Sequence, residues 1–243
     1  MQVPSDVWRR YIAKLTAVNE QAAAMMRQYA LTHDISDRKA TITYAAMLTR
    51  HYGDAAAELA CEMYEYLSKL GGKDVDAEPA DIVDMETIAK AVTATSANPD
   101  LLASAISRLV KQVAADTTLH NAIKYGAEVA WITRGDTCAF CVALASRGWE
   151  KASKDTLKNG HAEHIHGNCD CYYAVRYNDN DNVEGYDPQA LADVYQSAAE
   201  GKPAAKINAM RRSMYAQNAE KIRAQKRAAY AAKKEREAAK ADS

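Results

Sequence analysis

The chain has 243 residues and is 48% apolar, so it is long enough and apolar enough to form a hydrophobic core, which excludes disorder throughout. Ten Gly, five Pro and a single Phe favour helices over sheets. The net charge of -1 hides an asymmetry, because residues 201–243 hold 12 Lys or Arg against 4 Asp or Glu. This tail carries +8 and the remaining residues carry about -9, a polarity that bears on binding partners.

The sequence predicts no contact with a membrane. No stretch approaches the roughly 20 consecutive apolar residues of a membrane span, and MQVPSDVWRRYIAKL lacks the apolar middle region of a signal peptide. We therefore expect a cytosolic protein, and in that reducing compartment close cysteine pairs are more often metal ligands or redox catalysts than disulfides. Four of the five cysteines lie between residues 138 and 171, whereas Cys61 is predicted to be a buried core thiol.

Residues 1–130 have the pattern of an antiparallel helical region. A first helix is predicted from Ser5 to Leu31, with Ser5 as its cap. A second begins after Ser36 and ends at Gly71, either as one helix of about nine turns or as two helices bent near Gly53. The apolar stripes are Val7, Tyr11, Leu15, Val18, Ala22 and Met25 in the first helix, and Tyr44, Met47, Leu48, Tyr52, Leu59, Met63 and Leu67 in the second.

Two further helices complete this region. After the linker GGKDVDAEPAD, a short helix is predicted over residues 82–93. Asn98, Pro99 and Asp100 then supply a capping side chain, a proline at the first helical position and an acid in the first turn. A helix should therefore begin there and run to about Ala130. Its apolar positions are Leu101, Ile106, Val110, Val113, Leu119 and Ile123.

The composition changes at Trp131. The segments WITRGDT and CYYAVRY are short and rich in β-branched and aromatic residues, as strands are, and they bracket the cysteine cluster. We therefore predict a small α+β Cys/His module over residues 131–180. Residues 181–243 are predicted to form a polar loop, a short helix at 188–198 and a long, basic C-terminal helix at 204–239. The expected fold class is mainly α.

The cysteines and histidines of this module have the spacing of a metal site. Cys138 and Cys141 stand three residues apart, so one tight turn can present both sulfurs to one ion while nearby amides bond to the thiolates. The candidate ligands are Cys138, Cys141, His166, Cys169 and Cys171, with His161 and His164 nearby. Four of them would complete a closed, structural zinc site. Zinc would stabilise a module of about 45 residues that is too small to be stable alone.

Other interpretations of the cluster stay open. The cysteines could pack as reduced apolar side chains, or Cys138 or Cys141 could form a disulfide with Cys169 or Cys171. A thioredoxin-like role is disfavoured because no βαβ pattern surrounds TCAFC. The HAE at residues 161–163 is similar to the zinc-ligand histidine and glutamate of nucleobase deaminases. In deaminases, however, the cysteine pair follows that motif, whereas here it precedes it.

The motif T-C-x-x-C-x-x-L-A-S-R-G followed by H-x-N-C-x-C carries a family resemblance. Its residues here are Thr137, Cys138, Cys141, Leu144, Ala145, Ser146, Arg147, Gly148, His166, Asn168, Cys169 and Cys171. This array resembles tailed-phage minor head proteins of the Mu F type, also called phage head morphogenesis proteins. The resemblance covers mainly residues 131–177. Two positions depart from the family pattern. Gly167 stands where the family usually has a proline, and Asp170 stands where it often has a basic residue.

The resemblance implies a low-copy, non-enzymatic component of the virion. Such a protein would bind the portal or the major capsid protein, at the portal vertex or in the head interior, and act in capsid assembly or in DNA packaging and ejection. It would be in the host cytoplasm during assembly, and oligomerisation is left open. Amphipathic helices could serve this docking, although such stripes more often close a protein's own core.

The basic tail supports an alternative hypothesis, a zinc-stabilised nucleic-acid-binding protein. Its candidate contacts to packaged DNA are Arg211, Arg212, Lys221, Arg223, Lys226 and Arg227. The basic residues recur around the predicted helix, which favours non-specific phosphate contact over base reading. A solvated helix without a ligand would have the same pattern. A nuclease or toxin is less favoured, because no repeated acidic pair has metal-ligand spacing.

Overall fold

The computed structural model describes residues 2–133, 137–153 and 171–241. The helices in these ranges are α1 (Ser5–Thr32), α2 (Arg38–Leu70), α3 (Met85–Thr95), α4 (Pro99–Tyr125), α5 (Ala139–Ala145), α6 (Pro188–Ser197), α7 (Pro203–Gln217) and α8 (Ala219–Ala241). The strands are β1 (Gln2–Val3), β2 (Glu128–Ile132), β3 (Glu150–Lys151), β4 (Tyr172–Arg176) and β5 (Asn182–Val183). The fold is therefore mainly α, as the composition predicts. Within the described ranges, no helix is both long and apolar enough to cross a bilayer.

Helix α4 lies at the centre of the helical body, against α1 and α2. It begins where the sequence predicts, because Asn98 Oδ1 accepts hydrogen bonds from the backbone N–H of Asp100 and Leu101 at 2.9 and 3.2 Å. It ends at Tyr125, five residues before the predicted end at Ala130. Gly126 has φ +70°, a left-handed conformation that stops a helix, and the residues that follow join a sheet.

Helix α1 begins at Ser5 as predicted and ends one residue later than predicted, but it has a different cap and a slightly rotated apolar face. Pro4 occupies the cap position without a side-chain hydrogen bond, whereas the Ser5 backbone N–H donates to Glu184 Oε2 at 2.8 Å. The Ser5 cap was therefore a wrong prediction, because a distant carboxylate satisfies the first amide. On the apolar face, Met26 is fully buried, whereas Met25 is 40% exposed.

Helix α2 is one continuous helix of 33 residues that is capped by the Asp37 side chain. Gly53 lies within it, and a Cβ at this position would stand 2.9 Å from Ile82 Cδ1 and 3.3 Å from Val113 Cγ2. The glycine therefore lets the linker and α4 approach closely and does not mark a bend. Met47, which the predicted stripe placed on the buried face, is 56% exposed.

The acidic linker between α2 and α3 is bound to α4. Asn121 accepts a hydrogen bond from the backbone N–H of Glu78 at 3.0 Å and donates to its carbonyl oxygen at 2.7 Å. Thr117 Oγ1 accepts from the N–H of Ala80 at 3.1 Å. Helix α3 begins at Met85, three residues later than predicted, because the Asp84 side chain caps it.

A three-stranded antiparallel sheet with β2 in the middle, between β3 and β4, packs against the helical body. The Asn19 side-chain amide of α1 donates to the Tyr172 hydroxyl at 2.6 Å. The hydroxyls of Tyr64 and Tyr177 are 2.8 Å apart. One hydrophobic cluster of buried residues extends from the helices into the sheet. Strand β2 ends at Ile132, earlier than the predicted WITRGDT strand, and residues 134–136 lie outside the described ranges.

The C-terminal region forms two helices where one long helix was predicted. The chain leaves helical geometry at Asn218, with φ -102° and ψ 10°, and its backbone N–H closes the end of α7. Helix α7 packs against α5 through Met210, which is 3% exposed and clusters with Ala139 and Val142. On α8, the described side chains beyond Ala219 are all exposed.

Candidate metal centre and basic tail

The sheet fixes the position of Cys171. This residue immediately precedes β4, and the first residue of β4, Tyr172, pairs with Ile132 at the end of β2. Cys171 is 1% exposed. It therefore lies beside the end of β2, where the chain leaves the sheet towards Cys138 and α5.

The turn predicted for the CxxC pair is present at the start of α5. Cys138 occupies the cap position of the helix, and its Sγ accepts a hydrogen bond from the Cys141 backbone N–H at 3.4 Å. Cys138 is half-buried and Cys141 is buried. Backbone N–H groups bond in this way to the sulfurs of metal-binding C-x-x-C turns.

The predicted zinc site can be followed only in part. His166 and Cys169, together with His161 and His164, fall within residues 154–170, outside the described part of the chain. Considering only the residues that the structure describes, no three His, Cys, Asp or Glu side chains form a group that could hold a metal. No disulfide joins any two of the four described cysteines, Cys61, Cys138, Cys141 and Cys171. The zinc site and its ligands stay a prediction.

The environment of Tyr172 shows how the sheet packs against the helical body. The Lys111 ammonium lies 4.4 Å from the centroid of the Tyr172 ring and 5.9 Å from that of Trp131, and the lysine is fully buried. Burial against α1 and α4 therefore also stabilises this sheet. Sequence reasoning did not single out Lys111, although a lysine within the apolar run LVKQVAA was a signal.

Cys61 differs from its prediction as a buried core thiol, because it is half-buried. Partial burial, together with the nearby carboxylates of Glu65 and Glu58, raises the pKa of Cys61 to about 11. A thiol with a raised pKa is a poor nucleophile and a poor metal ligand at neutral pH.

The candidate DNA-binding residues are divided between two helices. Arg211 and Arg212 lie on α7, whereas Lys221, Arg223, Lys226 and Arg227 lie on α8. The six side chains are all exposed, so phosphates could reach them. A role in DNA binding stays a prediction.

The fold and the candidate site define a class of protein: a helical body with a small antiparallel sheet, a CxxC helix against that sheet and an exposed basic tail. Residues 2–198 match the family model described as VG15 protein, so the chain belongs to the VG15 family, a family of viral (phage) proteins. The match covers the helical body, the sheet and α5, and it ends before α7. Comparisons with curated proteins and with solved structures gave no match.

Proposed function

We propose that this protein is a structural component of the phage particle, a minor capsid protein of the head-morphogenesis type. The observation that carries the proposal is the match of residues 2–198 to a viral family, which includes the whole helical body. The T-C-x-x-C and H-x-N-C-x-C motifs support the finer assignment to head morphogenesis. We propose no catalytic role.

As a minor capsid protein, the chain would act by binding. It would dock on the portal or the major capsid protein, at the portal vertex or inside the head, and would act in assembly or in DNA packaging and ejection. During assembly it would be in the host cytoplasm. The body of long helices that share one core suits such a scaffold role.

The test of this assignment is the composition of purified phage particles. Quantitative mass spectrometry should detect the chain in particles at a copy number far below that of the major capsid protein. A binding assay of the full chain with the portal protein and the major capsid protein of the same phage would then identify the partner. Absence from both mature particles and assembly intermediates would contradict the proposal.

We also propose that zinc stabilises the segment between α5 and β4. The ligands would be four of Cys138, Cys141, His166, Cys169 and Cys171. The donor set fits zinc, because thiolate and imidazole are its preferred ligands, and Cys138 already accepts an amide N–H at the start of α5. Bound zinc would cross-link α5 to the chain before β4, and it would be structural.

Elemental analysis of the purified full chain tests the zinc proposal. We expect about one zinc per chain, and lower zinc content and a lower melting temperature in Cys138→Ser and Cys169→Ser. Cys61→Ser is the matched control, because this half-buried thiol lies on α2, far along the chain from the motif. Wild-type zinc content and melting temperature in both motif variants would contradict the proposal.

The exposed basic side chains of α7 and α8 favour a second candidate function, non-specific binding of DNA. Because released counterions drive such binding, the logarithm of the binding constant should fall linearly with the logarithm of salt concentration. Arg211→Gln/Arg212→Gln and Lys226→Gln/Arg227→Gln should each reduce the slope. A slope near zero for the full chain would leave only the assembly role.

A further inference from the structure

Two segments of this chain carry equal and opposite charge. Residues 201–243 carry +8, as noted above, and residues 53–87 hold ten Asp or Glu against two Lys, a net charge of -8. The second segment comprises the C-terminal half of α2, the linker and the start of α3. The side chains of α8 that the structure describes beyond Ala219 are exposed to solvent.

The charges of α8 form a basic stripe. With Asn218 as a break, the helical register restarts at Ala219, and side chains at spacings of three and four then share one side of α8. This basic stripe consists of Arg223, Lys226, Arg227, Tyr230 and Lys234, which fall within about 100° of the helix circumference. All five side chains are exposed, and Tyr230 is 71% exposed at the centre of the stripe.

An acidic stripe of the same length lies along α2. It consists of Asp54, Glu58, Glu62 and Glu65, which fall within about 80° of the helix circumference. Each stripe spans 12 residues from first to last, and the 11 steps between its ends correspond to about 17 Å of helix. The backbone N–H of Ala77 donates to Glu65 Oε1 at 3.0 Å, so the acidic linker runs beside this stripe and adds to its negative field.

An apolar groove borders the acidic stripe. It has a volume of about 220 Å³ and lies between α1 and α2, with Val7, Leu59 and Met63 among its lining residues. Two cations, Arg10 and Lys14, also line it. Arg10 is paired with Asp6 at 3.1 Å, and Lys14 lies 4.0 Å from Glu62. The groove is therefore apolar inside and offers room for one exposed aromatic side chain.

We propose that the basic stripe of α8 docks on the acidic stripe of α2 in a second copy of this chain, with Tyr230 in the apolar groove. The two stripes match in length and in charge, and the groove beside the acidic stripe has room for the tyrosine at the centre of the basic stripe. Partial desolvation of the ion pairs around a buried ring would make them stronger than isolated surface pairs. The proposal does not rest on the proposed function.

This contact joins two different surfaces, so it can repeat from copy to copy. A repeated contact of this kind closes into a ring when the rotation between neighbouring copies divides 360° evenly. Otherwise it extends into a filament. Reciprocal exchange of tails would give a closed dimer instead. In each arrangement the interface has the same two stripes.

Sedimentation velocity of the full chain tests the interface. The wild type should self-associate at about 50 mM NaCl and dissociate towards the monomer at about 500 mM, because surface ion pairs are screened. Arg223→Glu/Arg227→Glu on α8 should weaken self-association at least about tenfold. Asp54→Lys/Glu58→Lys on α2 should have an equal effect.

Mixing the two charge-reversed variants provides the decisive measurement. The two reversed charges on α8 of one variant should pair with the two reversed charges on α2 of the other, so an equimolar mixture should recover a complex that neither variant forms alone. A folding defect cannot produce this recovery. The matched control is Arg211→Glu/Arg212→Glu, which makes the same charge change on α7 outside the stripe and should self-associate as the wild type does.

The aromatic contact has its own control. Tyr230→Ser should weaken self-association, whereas Tyr215→Ser, at a 51% exposed tyrosine of α7, should not. A wild-type chain that stays monomeric at low salt would overturn the proposal, as would a mixture without recovery. Loss of DNA binding by Arg223→Glu/Arg227→Glu without any change in self-association would show that the stripe serves nucleic acid instead.

Discussion

The hydroxyl pair of Tyr64 and Tyr177 tests whether the sheet and the helices form one cooperative unit. Tyr64 lies on α2 and is 1% exposed, and its hydroxyl oxygen lies 2.8 Å from that of Tyr177, immediately after β4. Burial is the main cause that raises the pKa of Tyr64, and the bond to Tyr177 raises it further, so the Tyr64 hydroxyl stays protonated. The substitution Tyr177→Phe removes one hydroxyl and keeps the ring.

The expected cost follows from the buried partner that Tyr177→Phe leaves behind. A buried hydroxyl that loses a hydrogen bond costs about 1–3 kcal/mol, and the Tyr64 hydroxyl would lose its bond to Tyr177. The Ser68 side chain, whose Oγ donates to Tyr177 at 3.3 Å, also hydrogen-bonds the Tyr64 hydroxyl, so we expect a cost near the lower end of this range, about 1 kcal/mol. The further substitution Tyr64→Phe removes the hydroxyl that has lost its bond to Tyr177 and should recover part of that cost.

Urea denaturation of the full chain measures these free energies of unfolding. Tyr66→Phe is the matched control, because Tyr66 is 37% exposed on the same helix and its variant should lie within about 0.5 kcal/mol of the wild type. Equal stability of Tyr177→Phe and Tyr66→Phe would refute the reasoning. So would a double variant that is less stable than Tyr177→Phe alone.

Three further predictions concern other positions. Gly126→Ala should lower the free energy of unfolding by about 1 kcal/mol in thermal or urea melts, because Gly126 has φ +70° and a Cβ disfavours that conformation; an unchanged value would contradict this cause. Cys61, with a pKa of about 11, should react with iodoacetamide at pH 8 about 100-fold more slowly than in the urea-unfolded chain. Peptide mapping measures this rate, and equal rates would exclude the raised pKa. The Thr87 backbone N–H lowers the pKa of Asp84 from 3.8, so this cap stabilises the fold above pH 3.8 and its contribution is lost as pH falls through the lowered value. Asp84→Ala should therefore melt at a lower temperature at neutral pH, and the difference should shrink in acid; a constant difference would contradict the assignment.

Local signals predicted the helical body well. Asn98 caps α4 as expected because capping involves only the next few residues of the chain. Contacts with distant parts of the chain explain the two features that the sequence did not predict, the cap of α1 and the role of Gly53. Glu184 satisfies the first amide of α1, and Ile82 and Val113 explain why Gly53 is required in α2. No local pattern contains these partners.

In the candidate metal site, the sequence predicted the local structure of the C-x-x-C pair but not the position of Cys171. The C-x-x-C spacing itself specifies a turn with an amide directed at the first sulfur, and α5 begins in that way. By contrast, the position of Cys171 depends on the pairing of β4 with β2, which are 40 residues apart in the sequence. Cross-strand register of this kind is set by tertiary packing and cannot be read from spacing.

Helix α5 packs against the main core on one side and against α7 on the other. It therefore connects the cysteine pair to the first helix of the basic tail. One side of this short helix contributes Cys141 and Leu144 to the main core, and the other side contributes Ala139 and Val142 to the cluster around Met210 of α7. A helix of seven residues has little stability of its own, so its position depends on both contacts. Any ligand that fixes the cysteines would therefore also fix the surface on which α7 docks, and with it the direction in which the basic α8 leaves the body.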